Sequence, residues 1–244
     1  DLHTAYRRQR QMCIRDSSIS PLMHNESFRL LGLDYVYLCF DVNEETLPAA
    51  VAGLKTCGIR GFNLTMPNKN KIVELLDELS PEAQLIGAVN TVLNDNGKLI
   101  GYNTDGYGFM QSVRDAGHDI TGKNITVMGV GGASMAICAQ SALDGAASVH
   151  IFARRTSRYW NRTQKFAENL SAKTGCQVCL FDNDDHTSLR DSIAQSYLLI
   201  NATSVGMVPD IDDTIIKDTS LFHPELVVAD VVLSLIHISE PTRQ

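Results

Sequence analysis

Residues 125–134 read Ile125-Thr126-Val127-Met128-Gly129-Val130-Gly131-Gly132-Ala133-Ser134. The first residues are apolar or β-branched and predict a buried strand ending at Gly129. Three glycines then fall within four positions, and a helix-forming run opens at Ala133. In that setting glycines let the backbone approach a pyrophosphate held at the helix N-terminus. An ordinary tight strand–helix turn would use the same glycines, and Ser134 replaces the third glycine of the common pattern. What favours a dinucleotide is the placement inside a βαβ unit.

Working outward, strands are expected over 148–153, 176–181, 197–202 and 226–232, separated by helices over 133–143, 163–173 and 186–195. Strands alternating with helices of this length predict a parallel, doubly wound sheet. Before it, a helix over 106–116 follows Asp105, which marks the boundary between two lobes. The earlier lobe reads as a helix from Ser20-Pro21 to Gly32, a strand over 35–42, a helix over 47–56 and a strand over 59–65. Ile72, Leu75, Leu76 and Leu79 then fall at helical spacing, and Ser80-Pro81-Glu82 opens another helix. A hairpin over 91–102 turns at Asn94-Asp95-Asn96-Gly97. The fold class is therefore α/β: an N-terminal α/β substrate lobe followed by a Rossmann-type doubly wound parallel-sheet domain.

Composition agrees with this reading and excludes others. With 244 residues, 44% hydrophobic and 20% charged, the chain can bury a substantial core. A net charge of −7 and no basic run in the body argue against nucleic acid or an anionic membrane as partner. No apolar run reaches the length of a membrane span. The six cysteines are irregularly placed, so a reduced cytoplasmic protein is expected rather than a disulfide framework. Cys176 and Cys179 form a lone CxxC with no further ligands nearby in sequence; they are expected to alternate along a strand, and no metal is assigned.

Both ends look foreign. Residues 7–17, RRQRQMCIRDS, show no apolar period, and residues 233–243, LSLIHISEPTR, are equally unlike a domain end. Back-translated, both match the adapters of transposon-based sequencing libraries, on opposite strands of one element. We therefore expect 1–17 and 233–244 to be non-native and set them outside fold reasoning. Residues 1–17 carry four Arg and two Asp, so the remainder is more acidic than the whole. The expected partition is then 18–105 for the substrate lobe and 106–232 for the cofactor domain.

The strand ending at Ala153 runs into Arg154-Arg155-Thr156, where a dinucleotide enzyme selects its cofactor. An acid here would bind the adenosine ribose hydroxyls and repel a 2′-phosphate. Two arginines stand there instead, which favours NADP and leaves NAD open; a pair of solvated surface arginines would look the same. Lys69 follows a strand end, and Asn103-Thr104-Asp105-Gly106 sits at the lobe junction. Hydride exchange at a carbon bearing a hydroxyl needs a group to take or return the proton, and a lysine oriented by an aspartate can do so. Taken singly, Lys69 is better read as a solvated lysine and Asp105 as a helix cap.

Six stretches carry a resemblance. They are Ser18-Ile19-Ser20-Pro21-Leu22-Met23-His24-Asn25; Gly61-Phe62-Asn63-Leu64-Thr65-Met66-Pro67-Asn68-Lys69; Gly87-Ala88-Val89-Asn90-Thr91; Gly101-Tyr102-Asn103-Thr104-Asp105-Gly106; the 129–134 loop; and Asn201-Ala202-Thr203-Ser204-Val205-Gly206-Met207. In order and spacing the series closely resembles the shikimate dehydrogenase family. The Met66-Pro67-Asn68-Lys69 form and the double arginine are most similar to the branch that also takes quinate. The resemblance implies that Ser18 and Ser20 hold the substrate carboxylate, and that Thr65, Lys69, Asn90 and Asp105 bind the ring hydroxyls. Lys69 would be the proton donor and acceptor, paired with Asp105. Gly129, Val130, Gly131, Gly132, Ala133 and Ser134, with Arg154 and Arg155, would contact the cofactor; Thr203, Ser204 and Met207 would line its nicotinamide side. The implied reaction is reversible NAD(P)-dependent reduction of 3-dehydroshikimate to shikimate, towards chorismate and the aromatic amino acids, or the matching step of quinate metabolism. The partners are these small molecules, with a homodimer as one option for assembly.

The departures bear on activity. The family's first strand and the His before Ser18 are absent, and the chain leaves the family pattern after Asp230-Val231-Val232, where Tyr-Asn-Pro would follow. The expectation is that the 244-residue chain is unstable and inactive, while the parent gene product is an enzyme. A methylene-tetrahydrofolate dehydrogenase would share the two-lobe plan but not require the paired serines or the NTDG segment. A non-catalytic quinate-binding relative is disfavoured by the presence of both Lys69 and Asp105. Sequencing the parent gene tests the adapter reading: its codons should diverge from the adapter before Ser18 and after Val232, and continuous genomic sequence encoding RRQRQMCIRDS would refute it.

Overall fold

The structure is a computed structural model that describes residues 20–207 and 211–231. Ser18, Val232 and both adapter-like ends lie outside the described residues. By its contacts the chain forms two compact units, dividing between Cys57 and Gly58.

The first unit holds helices α1 (Ser20–Leu30) and α2 (Leu47–Thr56). The strand expected over 35–42 is not assigned to a sheet among the described residues. Within the segment, the Asn25 carboxamide takes both backbone groups of Tyr37: its Nδ2 donates to the Tyr37 carbonyl at 3.0 Å and its Oδ1 accepts the amide at 2.7 Å. His24 stacks on the Tyr37 ring at 4.5 Å. Aromatic and β-branched composition alone did not decide this segment.

In the second unit, a four-stranded sheet contains β1 (Gly61–Asn63), β2 (Glu78–Leu79), β3 (Thr91–Asp95) and β4 (Lys98–Tyr102), ordered β1-β3-β4-β2. β3 and β4 form the expected hairpin, and Asn96 and Gly97 both take positive φ, as a two-residue turn matched to strand twist requires. The helix expected around Ile72–Leu79 is instead a short α3 (Asn68–Lys71) and a 3₁₀ turn (Ile72–Leu75), after which the chain extends at Leu76. The i, i+3 spacing that suggested an α-helix serves a 3₁₀ turn equally. Its later residues are taken by β2, which pairs parallel with β4. Helix α4 (Pro81–Ile86) follows, capped by the Ser80 hydroxyl accepting from the Ala83 amide at 3.3 Å.

Beyond α5 (Asp105–Asp115), the strands β5 (Asn124–Met128), β6 (Ser148–Ala153), β7 (Gln177–Asp182), β8 (Leu198–Asn201) and β9 (Val227–Asp230) form one parallel sheet, ordered β7-β6-β5-β8-β9. The connecting helices are α6 (Gly132–Leu143), α7 (Trp160–Thr174) and α8 (His186–Gln195). The central strands β5, β6 and β8 are buried on both faces, which is why they read as nearly continuous apolar runs. Ile125, Val127, Val149, Ile151, Leu198 and Ile200 pack with Met110 of α5, α6 and Leu170 of α7. Met128, Phe152 and Leu199 pack on the other face with Ile193 of α8 and Ile216. This is the doubly wound α/β arrangement expected. The chain leaves β5 towards β6 on one side and reaches β8 on the other, so the carboxyl ends of β5 and β8 flank a topological switch point.

On the α8 face, Thr126 Oγ1 lies 2.6 Å from Ser192 Oγ and 2.5 Å from Ser196 Oγ, and His150 Nδ1 lies 2.9 Å from Ser192 Oγ. Burial lowers the pKa of His150 from its ordinary range. Cys179 lies on β7 opposite His150, while Cys176 just precedes the strand; burial pushes the Cys176 thiol up to about 11 and Cys138 up to about 12. Both stay neutral thiols near neutral pH. No helix among the described residues is long and apolar enough to cross a membrane.

One contact fixes how α5 meets α6. A Cβ on Gly106 would stand 2.2 Å from the Ala136 carbonyl oxygen and 2.7 Å from its carbon, so the two backbones touch. Gly108, in the same helix, has open space. Gly106→Ala should therefore destabilise the fold by about 1–3 kcal/mol through overpacking. Gly108→Ala should be neutral or stabilising by up to about 1 kcal/mol. Denaturant unfolding of the two variants checks the contrast, and equal effects would refute it.

Candidate active site

The first helical residue of α5 is Asp105, and its carboxylate is held by two side chains from the preceding sheet region. Lys69 Nζ donates to Oδ2 at 2.7 Å, and Asn90 Nδ2 donates to Oδ1 at 2.7 Å. The Lys69 side chain is 22% exposed and Asp105 39%, so the pair sits at a surface that a small molecule can reach. An ion pair this exposed adds little to stability, and its interest is positional.

Each partner is set by backbone geometry. Lys69 lies in α3, just after the cis Met66-Pro67 peptide, and its carbonyl accepts the Val89 amide at 2.8 Å. Asn90 is buried; its amide donates to Tyr102 O at 3.0 Å and its carbonyl accepts from Leu64 N at 2.8 Å. Its Oδ1 accepts from the Thr104 amide at 2.9 Å. One carboxamide thus orients both the aspartate and the turn before it. Thr65 is exposed between β1 and α3, its carbonyl accepting the Asn68 amide. The structure therefore brings Lys69, Asn90 and Asp105 together. Ser20 opens α1 in the first unit, and Ser18 lies outside the described residues.

Sequence reasoning gave no role to Asn103, Thr104, Thr91 and Asn63. Asn103 is buried, donates from Nδ2 to Ala88 O at 3.1 Å and accepts the Asp105 amide on Oδ1 at 3.3 Å. Thr104 Oγ1 lies 3.4 Å from Thr91 Oγ1, which accepts from Asn63 Nδ2 at 3.3 Å. A run of short polar residues beside a candidate acid was the only available signal. Partners 13 and more residues apart could not be read from it.

The second half of the site is the switch point. Gly129 has φ 110°, and a Cβ there would lie 2.7 Å from Ala202 O, so no side chain fits between the loops after β5 and β8. Gly131 and Gly132 have open space around them, as a backbone approached by a ligand requires. Val130 is half-buried beside the core and Ala133 exposed. Ser134 is buried, and its hydroxyl donates to Gly129 O at 2.6 Å, closing the turn. Arg154 and Arg155 are exposed at the end of β6, with no acid between Ala153 and Thr156. Thr203 donates to Asn201 Oδ1 at 2.7 Å and accepts the Val205 amide; Asn201 donates to Asp230 Oδ2 at 3.0 Å. Ser204 O accepts the Met207 amide at 3.1 Å, and Met207 is 43% exposed. Among the described residues no group of three or more His, Cys, Asp or Glu is gathered as for a metal.

Asn103→Ala removes a buried clamp and strands the Ala88 carbonyl and the Asp105 amide. It should lower unfolding stability by about 1–3 kcal/mol, and a loss below about 0.5 kcal/mol in denaturant unfolding would refute the clamp.

Comparison with known proteins gives a consistent result. Residues 14–92 match the family described as the shikimate dehydrogenase substrate binding domain. A shikimate dehydrogenase (NADP(+)) of Listeria innocua is 50% identical over 215 residues, covering 88% of this chain and 74% of the relative. The solved shikimate 5-dehydrogenase of Listeria monocytogenes, in complex with shikimate and NAD, superposes with a TM-score of 0.86 at 49% identity, over 88% of this chain and 74% of that one. A quinate dehydrogenase from Corynebacterium glutamicum, in complex with NAD, superposes with a TM-score of 0.75 at 28% identity, over 89% and 76% of the two chains. With half of the aligned residues identical across about three-quarters of such a relative, and the same α/β fold, this chain belongs to the shikimate dehydrogenase family.

Proposed function

We propose that the protein is an NADP-dependent shikimate dehydrogenase that reversibly reduces 3-dehydroshikimate to shikimate. The observation that carries the reading is the 2.7 Å contact of Lys69 with an aspartate that Asn90 also holds, at a reachable surface. NADP+ supplies the hydride acceptor when bound. Lys69 takes the proton of the C3 hydroxyl as that carbon gives up its hydride, and returns it in the reverse direction. Asp105 accepts from the lysine and fixes where Nζ points. Thr65, Asn90 and the serines Ser18 and Ser20 are assigned to the ring hydroxyls and the carboxylate.

The cofactor residues fit a dinucleotide. The Gly129–Ala202 approach, the open space at Gly131 and Gly132 and the arginines at the end of β6 favour a pyrophosphate and a 2′-phosphate. Thr203, Ser204 and Met207 are assigned to the nicotinamide side. We assign 18–105 to substrate binding and 106–232 to the cofactor, a division supported by the two separate sheets. The irregular placement of the six cysteines favours a reducing, cytoplasmic setting. Quinate is the second reading, favoured by the similarity to a quinate dehydrogenase structure.

Steady-state kinetics on the parent gene product, with both acids and both cofactors, test the assignment. The highest kcat/KM is expected for shikimate with NADP+; a quinate preference would establish the second reading. Lys69→Ala should retain shikimate binding while kcat falls by about 10²- to 10⁴-fold. Unchanged turnover in that variant would refute the assigned role.

A further inference from the structure

Between β6 and α7 the chain reads Arg154-Arg155-Thr156-Ser157-Arg158-Tyr159-Trp160, with three arginines and two aromatic rings. The structure sorts the arginines by how their guanidinium groups are engaged. Arg158 lies over the Tyr159 ring at 4.7 Å and donates from Nη2 to the Tyr159 hydroxyl at 2.6 Å, so one of its donors is already committed. Arg155 lies over the Trp160 ring at 4.7 Å, with no hydrogen bond or ion pair to its side chain among the described residues. Trp160 is half-buried as the first residue of α7, and its amide donates to Ser157 O at 3.0 Å, which anchors the ring's backbone to the loop.

A guanidinium held over a ring by cation–π attraction leaves its N–H donors free for a ligand. Stacking removes much of the rotamer freedom an exposed arginine would lose on gripping a ligand, without spending a donor. This stack stands just beyond β6, where the adenosine ribose of a bound dinucleotide lies in such sheets. The acid opposite Ala153 in the ladder, Asp182, has its Oδ1 engaged by the Asp184 amide at 3.2 Å.

We propose that Trp160 is a specificity-determining residue for the cofactor: its indole holds Arg155 in place for the 2′-phosphate and so favours NADP over NAD. The inference rests on the proposed reading of Arg155 as a phosphate ligand. Trp160 acts through Arg155 and is a positioning residue.

Calorimetric titration of the protein with 2′,5′-ADP and with 5′-AMP isolates the phosphate from the rest of the cofactor and needs no turnover. Trp160→Leu should weaken 2′,5′-ADP about two- to fivefold, the size of an exposed cation–π contact, and leave 5′-AMP unchanged. Trp160→Phe, which keeps an aromatic face, should bind 2′,5′-ADP close to the unaltered protein. Arg155→Ala should lower the 2′,5′-ADP to 5′-AMP preference at least as much as Trp160→Leu. Equal weakening of both nucleotides by Trp160→Leu would mean a merely structural tryptophan and overturn the proposal. If Arg155→Ala lowers the preference and Trp160→Leu does not, the platform fails while the phosphate reading stands. If Arg155→Ala leaves the preference unchanged, the phosphate reading fails and the proposal with it.

Discussion

Asp105 is held from three directions, and the rest of the site is arranged around that. Its carboxylate is shared between Lys69 and Asn90, its amide is accepted by the buried Asn103, and the next residue, Gly106, brings α5 into backbone contact with α6. The helix opening with the aspartate is thereby packed against the helix that opens at the glycine loop. A carboxylate on a loop would not keep such a register. At the N-terminus of a helix pinned on both sides it has little freedom to move, and a site ready for proton transfer needs that preorganisation.

The same economy governs the switch point. Gly129 approaches Ala202 more closely than any side chain permits, and Ser134 turns its hydroxyl back onto the Gly129 carbonyl. The substitution of serine for the third glycine thus adds a hydrogen bond that holds the turn. Asn201 ties the loop after β8 to β9 through Asp230 while accepting from Thr203. Short polar side chains spend their hydrogen bonds on shaping backbone here, leaving the glycines' faces open.

Much of this was legible in the sequence. The strand, glycine and helix order of 125–134 predicted the parallel sheet, because a strand buried on both faces must be apolar throughout and a close turn must lack side chains. The hairpin at Asn96-Gly97 was equally readable, since positive φ at two successive residues restricts composition. One element misled. Ile72–Leu79 has helical spacing, yet β4 recruits its end into a ladder. A partner distant in sequence overrode local preference. The 35–42 segment has strand composition but joins no sheet among the described residues.

What the sequence by itself determined is the alternation of elements and the parallel sheet, because periodicity and turn chemistry are local; the candidate acid–base pair came from the resemblance carried by six ordered motifs. Only the tertiary structure decided that Asn103 and Asn90 aim Asp105, that Gly106 is a contact rather than a hinge, and that Arg155 is stacked while Arg158 is spent. Those facts depend on hydrogen bonds and ring contacts whose partners, orientation and remaining donors are set by packing in three dimensions. A residue's type fixes how many bonds it can make, and the fold decides which of them are already used.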